Sequence, residues 1–179
     1  MSRRDPAYVS RAKAVAALEA ERLAGAVPAK LAGVFEALVA AGAPGADDPA
    51  AVEVGSTIYA VKPGDGSARE QAASCQRVLG GLANITSEYA TKRYRSNVMN
   101  WGMVPFQMKG EPSFEVGDYV YVPGIRSALD GSCDAIPAWV VRAAGAVERI
   151  ELFIAEMTPE ERAIVKAGCL INFNRERAR

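Results

Sequence analysis

The chain has 179 residues, with 21 basic and 21 acidic side chains, no formal net charge and no histidine. That length suits one ordinary domain with a short appendage, and zero net charge argues against a nucleic-acid binder whose affinity rests on neutralising phosphates. The missing histidine removes the commonest metal ligand and the commonest acid or base at neutral pH, so proton chemistry falls to Ser, Tyr, Cys, Lys or a carboxylate, or is shared with another chain.

In chain order, Met1-Ser2-Arg3-Arg4-Asp5-Pro6 reaches an acidic residue and a proline before any apolar run, unlike a signal peptide. No stretch approaches the ~18 apolar residues of a membrane span. A soluble, cytoplasmic protein is the expectation. A first helix is predicted from Asp5 or Pro6 through Tyr8, Val15 and Leu18 to Gly25. A second starts at Pro28, places Leu31, Val34, Phe35, Leu38 and Val39 on one face, and stops at Gly42. Ala43–Ala51 has the composition of an exposed linker. Beyond it the pattern changes. Thr57–Val61 reads as a strand closed by Pro63-Gly64-Asp65-Gly66, followed by a helix from about Ala68 to Leu79. Ala83–Thr86 is a short strand, a Tyr- and Arg-rich helix follows from about Glu88 to Met99, and Val104 begins an extended segment. Strands are predicted at Tyr119–Val122, Ala138–Val141 and Ile150–Ile154. Thr158 with Pro159 and Glu161 forms a helix-starting capping box, that helix ends near Gly168, and the closing Arg175–Arg179 is expected to fray. The expected architecture is a helical lead-in and linker over residues 1–50, then a mixed, layered α/β domain over 51–179.

Cys75, Cys133 and Cys169 are far apart and form no C-x-x-C pair, so they signal neither zinc nor a local iron–sulfur motif and read as small, semi-buried residues in a reducing compartment. Lys92, Arg93 and Arg95 read as a solvated helix face, Asn97 and Asn100 as loop ties, and Trp101, Met103 and Phe106 as core. Arg126, after Pro123-Gly124, starts a helix or reaches a ligand.

Two readings compete for Val61–Gln71, where a strand enters, two glycines turn the chain and a helix leaves. In the first, Ser67 and Glu70 are simply a capping box. In the second, the free N–H donors and the partial positive charge of the helix N-terminus favour an anion, the glycines let a ligand approach, and Arg69 grips a carboxylate in a bidentate manner. The same dipole stabilises an alkoxide, so Ser67 can serve as a base in a chain without histidine.

Gly64-x-Gly66-Ser67-x-Arg69-Glu70 followed by Gly80-Gly81 closely resembles the swivelling domain of the aconitase superfamily, whose usual form is a glycine-flanked Ser-Ser-Arg-Glu-His. Tyr89-Ala90-x-x-x-Tyr94-Arg95-Ser96-Asn97, then Trp101-Gly102-Met103-Val104-Pro105, is similar to the segment that follows in that family, and Ile164–Asn172 is similar to its closing element. The resemblance spans roughly residues 54 to 175 and is greatest to large bacterial hydratases of aconitase type. It implies a β/β/α swivelling domain of a hydro-lyase acting on a hydroxy di- or tricarboxylic acid. A 4Fe–4S cluster, held by other domains or a large subunit and not by this chain, binds the departing hydroxyl. By the same resemblance Ser67 is the catalytic base, Arg69 the carboxylate clamp, Gly66 and Ala68 line the substrate, and Gly64 and Glu70 shape the loop; no residue here is a metal ligand. Ala68 stands where the family has a second serine and Gln71 where it has histidine. The Thr-Asp-rich opening element, with its substrate-binding arginine, is replaced by the alanine-rich helices. A C-terminal piece of a longer enzyme, inactive in isolation, is the expectation. The alternatives are the small subunit of a 3-isopropylmalate dehydratase-type isomerase and a non-catalytic carboxylate-binding or assembly module.

Overall fold

A computed structural model of the chain describes residues 5–143 and 145–178; Met1–Arg4 of the leader reading and Arg179 of the tail lie outside the described residues. Helices α1 (Tyr8–Leu23) and α2 (Ala29–Ala40) form where the periodicity places them. Then β1 (Ser56–Ala60), α3 (Arg69–Val78), β2 (Gly81–Thr86), α4 (Lys92–Asn100) and β3 (Val104–Gln107) alternate, and the three strands pair in chain order, all parallel. A second sheet, β4 (Tyr119–Tyr121), β5 (Ile136–Val141) and β6 (Val147–Leu152), is antiparallel, with α5 (Ile125–Asp130) between its first two strands. Helices α6 (Pro159–Lys166) and α7 (Leu170–Arg177) close the chain. The fold is mixed α/β, as expected. No described helix is long and apolar enough to cross a membrane.

The layers follow from which face each strand buries. In β5, Ile136 and Ala138 join a core with Ile85 of β2, Phe106 of β3 and Leu152 of β6, so the two sheets face each other. The alternate residues Trp139 and Val141 point the other way, onto Leu18 of α1 and Leu31, Phe35 and Leu38 of α2. On the far side of the parallel sheet, α3 and α4 enclose Ala73, Tyr94, Val98 and Met103. The helical lead-in therefore shares a core with the second sheet; each buried Leu or Phe there contributes about 1.5–3 kcal/mol of transfer free energy. Val39, placed on the buried face by its spacing, is instead 50% exposed.

Several boundaries differ from the sequence expectation for physical reasons. The strand expected from Ala138 begins at Ile136, through Pro137; β4 pairs only with the far end of β5, so Pro137 has a strand neighbour on one side alone and its missing N–H costs nothing. The strand expected to end at Ile154 ends at Leu152. Phe153 turns to the other sheet and exchanges both backbone hydrogen bonds with Gln107, at 2.7 and 2.9 Å. Helix α4 starts at Lys92 rather than near Glu88, because the Thr91 hydroxyl caps it by accepting from Tyr94 N–H at 3.2 Å. The Thr158–Glu161 capping box forms as expected, at 2.9 and 3.1 Å. The tail expected to fray at Arg175 is helical through Arg177, although α7 buries no residue.

Glu19 and Arg22 pin α1 to the linker. Their side chains pair at 2.7 Å, Glu19 also accepts from Val54 N–H at 3.0 Å, and Arg22 donates to Ala50 C=O at 2.6 Å. The hydrogen bond from Arg22, reinforced by Val54 and opposed by burial, holds the Glu19 carboxyl below its usual range. A carboxyl depressed in the folded state stabilises above the ordinary glutamate value near pH 4.3, and that stability is lost as pH falls through the folded-state value. Urea unfolding between about pH 3 and 6 should therefore show a steeper acid-side loss for the native chain than for Glu19→Gln; parallel curves would remove the ion pair from the account.

Candidate functional site

In a parallel sheet the loops at the carboxyl ends of the strands form the natural ligand edge. Here these are Val61–Ala68 after β1 and Ser87–Thr91 after β2. They are joined by Glu88 N–H to Val61 C=O at 3.0 Å and Ala90 N–H to Pro63 C=O at 2.9 Å. The first loop and the opening residues of α3 carry every site residue singled out in the sequence.

Gly64 is the anchor of that loop. It has φ +100°, and a Cβ built on it would lie 2.4 Å from the Tyr94 Cβ, so both its conformation and its contact demand glycine. Its carbonyl accepts from Arg69 Nε and from Thr91 Oγ1, each at 3.1 Å. Gly66 meets neither condition: its φ lies outside the left-handed region and a Cβ would meet nothing within 4 Å. Gly66, Ser67 and Ala68 are exposed, whereas Arg69 is half-buried with its Nε committed to the loop. Among the described residues the terminal amino groups of Arg69 have no hydrogen-bond or ion-pair partner, which leaves the face of the guanidinium that binds carboxylates in pairs.

The Ser67–Glu70 capping box does not form. Helix α3 begins at Arg69 with Ala68 at its cap position and no side-chain cap bond, so Ser67 stands one residue too early to cap. Glu70 is engaged elsewhere. Its carboxylate accepts from Trp101 Nε1 at 2.6 Å. With the Asn97 amide turned so that its NH2 donates to Arg93 C=O at 3.3 Å, the Asn97 side-chain oxygen takes the Glu70 N–H at 2.9 Å. The first turn of α3 is thus capped from α4, and Asn97 is the tie its sequence context implied.

The three resembling blocks converge in space. Tyr94 packs on Gly64; its hydroxyl, in a side chain 2% exposed, accepts from Gln76 Nε2 and Asn84 Nδ2, each at 3.0 Å. Gly102, at φ +71°, is so close to Gly168 that a Cβ would lie 1.8 Å from the Gly168 carbonyl oxygen. Asn172 then holds that turn by donating to Ala167 C=O at 3.0 Å. Met103 and Phe106 are core, and Lys92 and Arg93 are exposed, as expected. Arg95 is not part of a solvated face: its Nη2 donates to Ala155 and Glu156 carbonyls at 2.8 and 3.0 Å. Arg126 lies in the first turn of α5 and donates to Lys166 C=O at 3.1 Å. The central role of Tyr94 was missed; the only signal was a glutamine and an asparagine in segments otherwise destined for burial.

The cysteines do not form a set. Cys75 is exposed, contrary to the semi-buried reading; Cys133 is buried with Sγ directed to Ala128 C=O at 3.3 Å; Cys169 accepts from Asn172 N–H at the start of α7. Among the described residues no three His, Cys, Asp or Glu side chains are grouped to hold a metal. These side chains do not form the donor set of a 4Fe–4S cluster.

A parallel βαβαβ unit carries an exposed Gly66-Ser67-Ala68 turn at its ligand edge and is backed by an antiparallel sheet. Residues 56–111, from β1 to just beyond β3, match the family described as Aconitase C-terminal domain. The chain is also 31% identical, over 119 residues, to the Aconitase-ribosomal protein bL21m fusion protein of Schizosaccharomyces pombe. That match covers 64% of this chain and 13% of the relative, so the chain spans a small part of the protein it resembles.

The two loop glycines separate by experiment. Gly64→Ala should cost about 3 kcal/mol or more, from left-handed strain plus overpacking against Tyr94. Gly66→Ala should be neutral or stabilise by up to about 1 kcal/mol. Urea midpoints of both variants check this, and equal losses would show that the loop is not anchored at Gly64.

Proposed function

We propose that this chain is the swivelling domain of an aconitase-like hydro-lyase and that the Val61–Ala68 turn is its half of the active site. One observation supports the reading: Ser67 is exposed at the N-terminal end of α3 with no capping duty, two residues from an arginine whose Nε is fixed and whose amino groups have no partner among the described residues. Nothing in the packing accounts for Ser67, Gly66 or the free face of Arg69. A two-point anion grip and an adjacent hydroxyl do account for them.

Arg69 binds a carboxylate of a hydroxy di- or tricarboxylic acid through parallel N–H donors. The unsubstituted Gly66 leaves room for that carboxylate to reach the backbone. The Ser67 oxygen, as an alkoxide whose proton has gone to solvent and whose charge the dipole of α3 favours without alone generating it, takes the proton from the carbon next to the held carboxylate and becomes the hydroxyl again. The hydroxyl lost in the same reaction leaves on the other side of the substrate. A 4Fe–4S cluster held by other domains or a large subunit would supply Lewis acidity for that departure. Ala68 contributes no hydroxyl, so this turn offers the substrate one donor fewer than the family's usual serine pair.

In the full polypeptide together with its cluster-bearing part, Ser67→Ala should lower kcat for dehydration by about two to four orders of magnitude. Arg69→Lys should mainly raise KM, because an ammonium cannot reproduce the paired guanidinium geometry. Retention of full activity in Ser67→Ala overturns the base assignment.

A further inference from the structure

Two backbone bonds and a pair of side-chain bonds hold the Ser67 turn against the loop after β2. Glu88 N–H donates to Val61 C=O and Ala90 N–H to Pro63 C=O, at 3.0 and 2.9 Å. The Gly64 carbonyl, next along, is met by no backbone N–H among the described residues. Its partners are the Thr91 hydroxyl and Arg69 Nε, each at 3.1 Å. A carbonyl oxygen has two lone pairs, so these two donors fill it. Gly64 has φ +100° and no side chain to restrain its peptide, so the direction of this oxygen is set by what binds it.

Of the two donors, Thr91 is the fixed one. It stands in extended conformation at the N-cap of α4, at φ −143° and ψ 144°, and its oxygen accepts from Tyr94 N–H at 3.2 Å. That bond and the branched Cβ hold the Thr91 oxygen in place while its proton goes to Gly64. Arg69 is the mobile one. Its outer amino groups have no partner among the described residues, so the single bond from Nε to Gly64 sets where its guanidinium faces. The bonds of Glu70 to Trp101 and Asn97 place the first turn of α3 but do not reach the Arg69 head group.

We infer that Thr91 is the positioning residue of Arg69: a relay from Tyr94 N–H through the Thr91 hydroxyl to the Gly64 carbonyl holds the guanidinium with its paired N–H donors outward. The inference rests on the reading of Arg69 as a carboxylate clamp. Each bond in the relay polarises the next, and Thr91 itself touches no substrate. Without its hydroxyl the two backbone bonds still keep the turn in place, but the Gly64 oxygen is free to swing and the guanidinium to change rotamer. A carboxylate must then order the arginine before it is gripped. That cost falls equally on the ground state and the transition state, so it enters KM rather than kcat.

The test begins on the whole chain, through the 15N–1H resonance of Arg69 Nε and the rate at which its proton exchanges with solvent. Thr91→Val should speed that exchange about fivefold to tenfold, the worth of one hydrogen bond, and Thr91→Ser, which keeps the hydroxyl, should restore the native rate. Glycine is tolerated at an N-cap, so Thr91→Gly gives the same measurement where Thr91→Val does not fold. Thr158→Val removes the corresponding cap of α6 and should leave Arg69 Nε unchanged. Native exchange in Thr91→Val or Thr91→Gly, no rescue by Thr91→Ser, or equal acceleration in Thr158→Val overturns the proposal. In the full polypeptide with its cluster-bearing part, Thr91→Val should raise KM about fivefold to tenfold with kcat within about twofold. In an Arg69→Lys background, which has no guanidinium to orient, it should add nothing, and an additive effect there also overturns the proposal. If Arg69→Lys leaves KM unchanged, the clamp reading fails, while the exchange measurement still decides whether Thr91 orients Arg69.

Discussion

Tyr94 is the contact on which the ligand edge depends. Its ring fills the space a side chain at Gly64 would need, and its hydroxyl is the one polar point that two buried amides, Gln76 of α3 and Asn84 of β2, share. Through it α4 is fixed against the helix that carries Arg69 and against the central strand of the parallel sheet. The neighbouring bonds are consequences of that placement. With Tyr94 seated, Thr91 one turn earlier reaches Gly64, while Asn97 and Trp101 later in α4 reach the first turn of α3. A βαβαβ unit would form from hydrophobic burial alone. What Tyr94 adds is register: a buried amide N–H left without an acceptor is costly, and in this arrangement of α3, β2 and α4 the Gln76 and Asn84 amide donors both reach one.

The same logic decides what could be read from the sequence. Local rules worked where the partner is local. The Thr158–Glu161 box forms because both halves lie within one turn, and α1 and α2 form where the apolar period and the glycine stops place them. The Ser67–Glu70 box has the same spelling and fails, because an indole 31 residues away offers Glu70 a charge-assisted bond and Asn97 takes the N–H that Ser67 would have received. Spacing cannot report a competitor that arrives through the fold. Arg95, too, reads as one of three cations on a solvated helix; it is drawn inward by carbonyls 60 residues later in the chain. The alanine-rich start is legible as helices, but its attachment is not. Trp139 and Val141 alternate with Ile136 and Ala138 in a strand buried on both faces, and only the second face says that α1 and α2 must cover it.

The candidate site was legible to a different degree. The order of the three motif blocks pointed to the loop, and their meeting in space gives that order a cause: Gly64 against Tyr94, Glu70 against Trp101, Gly102 against Gly168. The roles of the two loop glycines were not separable from sequence, since both are simply glycine there. In the fold one is required by a positive φ and a ring contact, and the other by nothing in the chain. A residue type that the fold does not need is the clearest trace a ligand can leave on a structure without one.

Exposure of Ser67 sets the last constraint. The N-terminus of α3 carries about half a positive charge. At 4 Å its attraction for an alkoxide is worth about 0.5 kcal/mol in water and about 2 kcal/mol at an effective dielectric of 20. In the open chain the first figure applies, and neither figure by itself makes a serine hydroxyl give up its proton at neutral pH. Covering the turn with a second surface raises the dipole's contribution about fourfold and also removes the water that competes for Arg69. Arg69 gains most from this, because its Nε is already fixed and only its amino groups must lose solvent. On the proposed reading the turn is a half-site: rigid where it meets its own fold, bare where a second surface closes over it.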